Sequence, residues 1–469
     1  MNAGGHATDR RRPRAALFLL ACTAAGVAPH ALGPLRLLPA SLLALVLGGY
    51  GLRTVLRGLR TAAAAPASSP QPASLEAFPE EGVAAVDVVV AARDEQAVIA
   101  RLVERVLALR WPPQELRLWV IDDGSEDRTP EELAALSGRF PQLQVLRRPR
   151  DAGGGKSGAL NFVLPQLQGR WLMVLDADAD LQPDTLERLI PRAESGGWAA
   201  VQLRKAVVNP DDNLLTRAQA MEMAFDAVIQ EGRLAGGGVG ELRGNGQLLL
   251  RDAVLACGGF NEATVTDDLD LSLRLLLDGQ PISLLWDPPV GEEAVLSLGA
   301  LWRQRQRWAE GGLQRFLDYG LGLGNDRLSR AQKLDGLCFF LLQYVMPVLA
   351  AADLVAVPLT RTPPVMWPFS IVPLALSGLA IRGGCRRGGE GPPLPAVTFF
   401  NLALGILYLV HWFLVIPWVC VRMALLPKRL VWAKTSHLGH ADDDSAPGAH
   451  EGELVPEAEA ELAAGGGQA

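Results

Sequence analysis

The chain has 469 residues, a formal net charge of −7 and a mean hydropathy of +0.17. The length allows one large domain with further segments, and a hydropathy this high for a soluble protein indicates membrane-spanning segments. No dense basic cluster occurs outside the short stretches that flank apolar segments, which argues against nucleic acid as a partner. The five cysteines form no Cys-x-x-Cys pair, which argues against a zinc site or a disulfide framework.

The N-terminal region is predicted to be a membrane hairpin. Residues 1–14 form a basic tail, and two apolar stretches with arginines on both sides predict two transmembrane helices within 15–60, with both ends cytoplasmic. A cleaved signal peptide is the alternative for the first stretch, but a second span follows at once. Residues 61–84, rich in alanine, proline and serine, are predicted to be a flexible linker.

Residues 85–298 alternate short apolar strands with amphipathic helices, which predicts an α/β domain built on a mostly parallel sheet. We predict its first strands at 86–92, 116–121, 144–146 and 171–175. Ligands of such sheets bind beyond the carboxyl ends of the strands. The acidic motifs fall at these ends, so the sequence predicts a site there.

The most informative motif is Asp176-Ala177-Asp178, directly after the apolar run at 171–175. Carboxylates at such a place need a partner, and their hard oxygens suit Mg²⁺ or Mn²⁺. A metal held by one or two carboxylates usually completes its shell with phosphate oxygens. We therefore predict a metal site that handles a diphosphate. A capping cluster for the next helix is the alternative, and we predict that role for Asp180.

Two weaker motifs precede this one. Asp122-Asp123-Gly124-Ser125 lies at a strand end, where the aspartates could bind a nucleoside or form an ordinary turn. Gly153-Gly-Gly-Lys156-Ser is similar to a P-loop, but Arg150 stands where that motif requires glycine. The sequence is better explained by a glycine-rich loop that opens a helix and places Lys156 near phosphate.

The motif Thr266-Asp267-Asp268 opens an amphipathic run that extends to Leu277. We predict that Thr266 caps a helix whose dipole favours the ionised forms of the two aspartates. Simple capping is one interpretation. A general base toward a hydroxyl is the other, since an ionised aspartate that faces a pocket can take its proton.

Residues 299–333 are predicted to form interfacial amphipathic helices that carry Gln304-Arg-Gln-Arg307-Trp308. On a helix, Gln304 and Trp308 share a face with Arg307 beside them. Arg307 can clasp a diphosphate, and Trp308 offers a flat wall to an acceptor or a sugar ring. A membrane-interface anchor is the alternative, and it applies better to Trp302 and Arg315.

Three apolar stretches after residue 333 predict about three transmembrane helices within 334–426, although the flanking arginines leave a re-entrant segment open. Their few polar residues include His411, which we expect to be packed or hydrogen-bonded rather than catalytic. The acidic segment 427–469 is predicted to be a disordered tail.

In this order, the motifs resemble those of the membrane-embedded family 2 glycosyltransferases, over about residues 85–320. The resemblance implies a GT-A nucleotide-sugar-binding domain with a mostly parallel mixed sheet, flanked by N- and C-terminal transmembrane helices. Asp268 would be the catalytic base, and Asp267 replaces the family's glutamate. Asp176 and Asp178 would hold the metal. The implied nucleotide-sugar site comprises Asp123, Lys156, Asp176 and Arg307. The implied acceptor or sugar site comprises Gly244, Asn245, Gly246, Asp267, Gln304 and Trp308.

The whole layout most resembles the cyanobacterial monoglucosyldiacylglycerol synthases of this family. That resemblance implies an inverting transfer from UDP-glucose to diacylglycerol, with Mg²⁺ or Mn²⁺. It also implies a multi-pass protein of the plasma or thylakoid membrane with a cytoplasmic catalytic domain. A processive polysaccharide synthase of the cellulose or hyaluronan type, or transfer to another lipid, is the alternative. A non-catalytic scaffold would lose the acidic set, and a transporter needs more spans than five.

Overall fold

The computed structural model describes residues 11–64 and 84–426. The predicted acidic tail lies outside the described residues, as do residues 1–10 and 65–83 of the predicted basic tail and linker. Where the linker prediction begins, the structure instead continues a helix as far as Ala64.

A mixed sheet of eight strands forms the centre of the described catalytic region. The strand order is β3-β2-β1-β4-β7-β6-β8-β5. The first four strands in this order are mutually parallel, and β7 runs antiparallel between β4 and β6. The strands are β1 (Val86–Ala92), β2 (Leu116–Asp122), β3 (Leu143–Arg147), β4 (Trp171–Leu175), β5 (Asp180–Leu181), β6 (Ala200–Val207), β7 (Gln247–Leu250) and β8 (Ile282–Glu292). The prediction of a mostly parallel sheet is confirmed.

Strand β1 shows why this sheet is buried on both faces. All of its residues are buried, and its side chains alternate between two cores. Val88 and Val90 pack into one core, whereas Val89 and Ala91 pack into the other. The helices of this region are α3 (Ile99–Leu107), α4 (Thr129–Arg139), α5 (Gly155–Val163), α6 (Thr185–Ser195), α7 (Leu214–Ala235), α8 (Arg251–Ala256), α9 (Asp267–Leu277) and α10 (Leu298–Tyr319).

The capping role predicted for Asp180 is wrong. Asp180 lies in β5, pairs with β8 and forms an ion pair with Arg105. The next helix starts later, and Asp184 occupies its N-cap position.

Five helical segments of the described chain are long and apolar enough to cross a membrane. They are 11–35, 38–61, 330–360, 367–386 and 399–425. The third includes a single π-helical turn at Leu341–Val345, and the last is interrupted near His411. The helices are α1 (Arg11–Val27), α2 (Leu38–Ala64), α11 (Arg330–Phe340), α12 (Met346–Thr360), α13 (Trp367–Arg386), α14 (Phe399–Leu409) and α15 (Trp412–Leu425).

Helix α2 packs closely against α7 of the catalytic region. A Cβ atom at Gly232 would overlap the carbonyl oxygen of Thr54, and one at Gly58 would overlap that of Val228. Small residues let two helix backbones approach in this way. The contact joins the catalytic region closely to a candidate membrane helix.

Candidate active site

A cavity of about 540 Å³ begins where β4 ends and continues between the membrane helices. Its polar end is lined by Asp176, Asp178, Asp267 and Asp268. Its other end is lined by apolar side chains of α2, the π-helical turn, α13 and α15, among them Leu47, Val55, Leu342, Phe369, Val372, Leu376 and Ile416. The acidic residues that the sequence assigned to the metal, Asp176 and Asp178, therefore line the same cavity as the proposed base, Asp268.

Lys156 supplies a fixed positive charge at the polar end. Gly153 and Gly154 adopt φ values of 73° and 71°, and α5 starts directly after them. Lys156 Nζ donates to Asp176 Oδ1 at 2.5 Å and to the carbonyl oxygen of Gly244 at 3.0 Å. Burial lowers the pKa of Lys156, but the carboxylates led by Asp176 outweigh it and hold the pKa above its usual range. The ammonium group is therefore charged where phosphate is expected.

Asp176 and Asp178 differ in their surroundings. The Asp176 side chain is 38% exposed, and its backbone N–H donates to the buried Asn245 Oδ1 at 3.1 Å. Asp178 is buried, and its Oδ2 accepts a hydrogen bond from the Glu293 N–H at 2.9 Å. Within the described residues, no group of three or more His, Cys, Asp or Glu side chains is placed to hold a metal. A cation bound by Asp176 and Asp178 would need further oxygen ligands from a diphosphate or water. Two carboxylates are a suitable protein contribution to such a site.

The two aspartates that open α9 are half-buried and adjacent in its first turn. Burial, together with the charges of Asp268 and Asp176, raises the pKa of Asp267 to about 6 despite the nearby Lys156. Burial also raises the pKa of Asp268, although the Leu269 N–H and Lys156 partly offset it. Asp268 Oδ2 lies 3.4 Å from the position that a Cβ would take at Gly244, so glycine leaves room beside this carboxylate.

Thr266 occupies the N-cap position of α9, but its side chain makes no capping hydrogen bond. Its Oγ1 is buried without a partner among the described residues, and so is Oδ2 of Asp267. The predicted side-chain cap is therefore wrong. The start of this helix carries a cost in stability, as is common at functional sites.

Replacing Asp267 with asparagine is expected to raise the melting temperature at pH 8. The ionised form of Asp267 is disfavoured in the fold, because its pKa rises from the ordinary 3.8 to about 6. That penalty is full above the folded pKa and disappears as pH falls toward the unfolded value. The gain in melting temperature should therefore be smaller at pH 5 than at pH 8. Thermal unfolding of the detergent-solubilised protein measures it, and an equal or larger gain at pH 5 contradicts this account.

Helix α10 brings Gln304, Arg307 and Trp308 to the same cavity. Burial lowers the pKa of Arg307, and Asp176, Asp268 and Asp267 oppose this effect through their negative charge. An arginine keeps its charge even so. Arg307 therefore places a second cation beside the carboxylates.

Two cations lie near the Trp308 ring. The Arg305 guanidinium lies 4.0 Å from the ring centroid, and Lys205 Nζ lies 5.3 Å from it. Gln304 Oε1 accepts a hydrogen bond from Arg305 at 3.0 Å. Lys205, which also pairs with Glu292 at 2.6 Å, lines the cavity and was not predicted as a site residue.

Arg305 was also missed by sequence reasoning. It is fully buried, pairs with Glu222 of α7 and donates to the Tyr408 hydroxyl at 2.9 Å. Trp412 donates to the same glutamate at 3.0 Å. The available signal was Glu222 between Met221 and Met223, in the locally apolar part of α7. These contacts link the motif helix to the last membrane segment.

Arg315 is not the interfacial anchor that the sequence suggested. It is buried, and it donates to Glu241 Oε1 at 2.9 Å and to the Leu269 carbonyl at 3.4 Å. Trp302 on the same helix is exposed, as an interfacial anchor would be. His411 donates from Nδ1 to the Tyr408 carbonyl oxygen at 2.6 Å, so the hydrogen-bonded role predicted for it fits the structure.

Asp123 is not among the described residues that line the cavity. It is buried at the end of β2 and pairs with Arg148 Nη1 at 2.8 Å. Arg148 also donates to the Gly153 carbonyl at 2.7 Å, which links Asp123 to the loop that carries Lys156. Asn245 and Gly246 are likewise buried and absent from the described residues that line the cavity, and a Cβ at Gly246 would come within 2.6 Å of Val290. Both support the wall in this structure.

Comparisons with known proteins agree with this geometry. Residues 84–311 match the family described as glycosyltransferase like family 2. The chain is 42% identical over 400 residues to a protein of Synechocystis sp. named beta-monoglucosyldiacylglycerol synthase, covering 83% of this chain and 82% of that one. A protein of Trichormus variabilis with the same name is 43% identical, over 76% of this chain and 77% of its own length.

A solved structure supports the fold alone. It is the mannosyltransferase from Pyrobaculum calidifontis in complex with GDP-mannose and Mn²⁺, with a TM-score of 0.55 and 18% identity. The alignment covers 88% of this chain and 99% of that one. With this fold, the cavity and the extent of the sequence matches, the chain belongs to glycosyltransferase family 2 and is a glycosyltransferase.

Proposed function

We propose that the protein transfers glucose from UDP-glucose to the hydroxyl of 1,2-diacylglycerol and forms β-monoglucosyldiacylglycerol. The observation that carries the proposal is the continuous cavity, with carboxylates and cations at one end and membrane-helix side chains at the other. A lipid with one hydroxyl and two acyl chains has the same division into a polar end and an apolar end. The names of the relatives in Synechocystis and Trichormus support this acceptor.

The polar end suits a nucleoside diphosphate as the leaving group. Lys156 and Arg307 are cations that both line the cavity. Lys156 pairs with Asp176, and the charge of Asp176 also acts on Arg307. Asp176 and Asp178 would hold Mg²⁺ or Mn²⁺, which would neutralise charge on the departing diphosphate. The Mn²⁺ in the Pyrobaculum mannosyltransferase supports a divalent cation.

In the proposed reaction, Asp268 takes the hydroxyl proton while the acceptor oxygen attacks the anomeric carbon. The bond from that carbon to the diphosphate breaks, and Arg307 and Lys156 stabilise the negative charge that develops on UDP. Burial raises the pKa of Asp268, which makes it a stronger base than an exposed aspartate. One base without a second nucleophile inverts the anomeric configuration.

We also propose that the protein crosses the membrane several times with its catalytic domain in the cytoplasm. Five segments are suitable by length and composition. Arg11, at the basic start of α1, donates to Asp318 of α10 at 3.1 Å, so this basic end lies on the catalytic side. Positively charged ends of spans stay preferentially in the cytoplasm.

The product of a labelled-donor assay tests the proposed function. Membranes that contain the protein, given UDP-[¹⁴C]glucose and diacylglycerol, should form one lipid-soluble product with a single β-linked glucose. Excess chelator should stop its formation, and added Mg²⁺ or Mn²⁺ should restore it. Membranes with an Asp268→Asn variant serve as the blank. An insoluble polymer, which a processive synthase would make, contradicts the diacylglycerol acceptor.

A further inference from the structure

One polar side chain in the membrane half of the cavity has no role in the reaction described above. Gln343 lies in the π-helical turn Leu341–Val345 and lines the cavity. Its Oε1 is buried without a hydrogen-bond partner. Within residues 11–64 and 84–426, no hydrogen bond is found for either polar atom of this amide. Such an unpaired amide in an apolar segment is costly and points to a missing partner.

The chemistry of the missing partner follows from which end of the Gln343 amide is accessible from the cavity. Because Oε1 is covered, the NH₂ group is the end that a molecule in the cavity meets. An NH₂ group only donates, so its partner must be a hydrogen-bond acceptor. Single π-helical turns inside longer helices frequently occur at functional sites, which agrees with a ligand contact here.

The position of Gln343 along the cavity indicates which acceptor atoms of a bound lipid it would meet. A Cβ at Gly312 would overlap the Tyr344 hydroxyl, and the Leu269 side chain lies 3.5 Å from the same point. The hydroxyl of Tyr344, the residue after Gln343 in the π-helical turn, therefore lies near the first turn of α9, which carries Asp268. A lipid whose hydroxyl is at Asp268 has its ester groups next along its length, before the acyl chains. The acceptor atoms at that depth are ester carbonyl oxygens.

We propose that Gln343 donates a hydrogen bond from its amide to an ester carbonyl oxygen of the acceptor lipid. Gln343 thereby selects an ester-linked diacylglycerol over its ether-linked counterpart, which keeps the hydroxyl and chains but lacks the carbonyls. This inference rests on the proposed function. One hydrogen bond of this kind favours the ester by about fivefold in KM.

The test measures KM for 1,2-dioleoylglycerol and for 1,2-di-O-oleylglycerol with the purified full-length protein in detergent micelles. The wild type should favour the ester by about fivefold, whereas Gln343→Met should bring the ratio to about one. KM for UDP-glucose should stay unchanged. Leu354→Met, on the outward face of the same span, is the matched control and should keep the wild-type ratio. Gln343→Leu provides a second apolar variant if the methionine variant does not fold.

Two failures are distinguishable. If the wild type makes a glucosyl lipid but Gln343→Met and Gln343→Leu keep its ester preference, or if the wild type has no preference, the role of Gln343 is refuted and the proposed function stands. If the wild type makes no glucosyl lipid from either acceptor, the proposed function itself fails.

Discussion

Asp268→Asn is expected to reduce kcat by a factor on the order of 10³ while UDP-glucose binding stays nearly unchanged. Asparagine keeps the size and the polarity of the side chain but cannot take the acceptor proton. The substitution leaves Lys156, Arg307 and Asp176, the groups proposed to hold the diphosphate, in place. The measurements are kcat with diacylglycerol and the binding of UDP-glucose by isothermal titration calorimetry.

The matched control for this variant is Asp278→Asn. Asp278 follows the last turn of α9, and its exposed side chain pairs with Arg327 at 2.7 Å. Surface ion pairs of this kind contribute little to stability, so this variant should retain wild-type activity. If Asp268→Asn keeps substantial turnover, Asp268 is not the base.

Arg307→Ala is expected to lower kcat with diacylglycerol by a factor on the order of 10² to 10³ and to weaken UDP binding. The half-buried guanidinium interacts with the charges of Asp176 and Asp268 in a cavity where water screens charge less than in bulk. Its loss removes a cation that would stabilise the departing diphosphate. The carboxylates then make the site more negative. Arg307→Lys should recover part of the activity, because it restores the charge without the planar fork.

Arg303→Ala provides the control on the same helix. Arg303 is exposed and lies one turn before Arg307. This variant removes an equal charge outside the cavity and should leave kcat and UDP binding unchanged. Equal losses in the Arg303 and Arg307 variants would assign the effect to the overall charge of α10 and contradict a contact with the diphosphate.

Sequence patterns predicted those groups of site residues that lie together on a single strand or helix. Asp176 and Asp178 follow a buried strand, so a parallel sheet brings them to its ligand-binding edge. Asp267 and Asp268 open a periodic helix, and Arg307 and Trp308 sit on adjacent positions of another. Each of these placements depends on spacing along the chain, which a sequence displays directly.

Contacts between distant segments could not be predicted in this way. Asp123 is covered by Arg148, and Arg315 is buried because Glu241, 74 positions away, accepts its hydrogen bond. The sequence identifies these residues as charged but does not show which partners the fold supplies. The sequence also could not show that the cavity is continuous, because this depends on how α2 and α13 pack beside the catalytic region.

The most direct test of the account asks whether diacylglycerol reaches the carboxylates through the membrane half of the cavity. Diacylglycerol with a photoreactive diazirine on one acyl chain is cross-linked to the protein in membranes with UDP present, and labelled peptides are mapped by mass spectrometry. The account predicts labelling at cavity-lining residues such as Leu47, Phe369 and Leu376, suppressed by excess unlabelled diacylglycerol. Labelling confined to outward-facing residues such as Leu354 and Phe399, without competition, would contradict it.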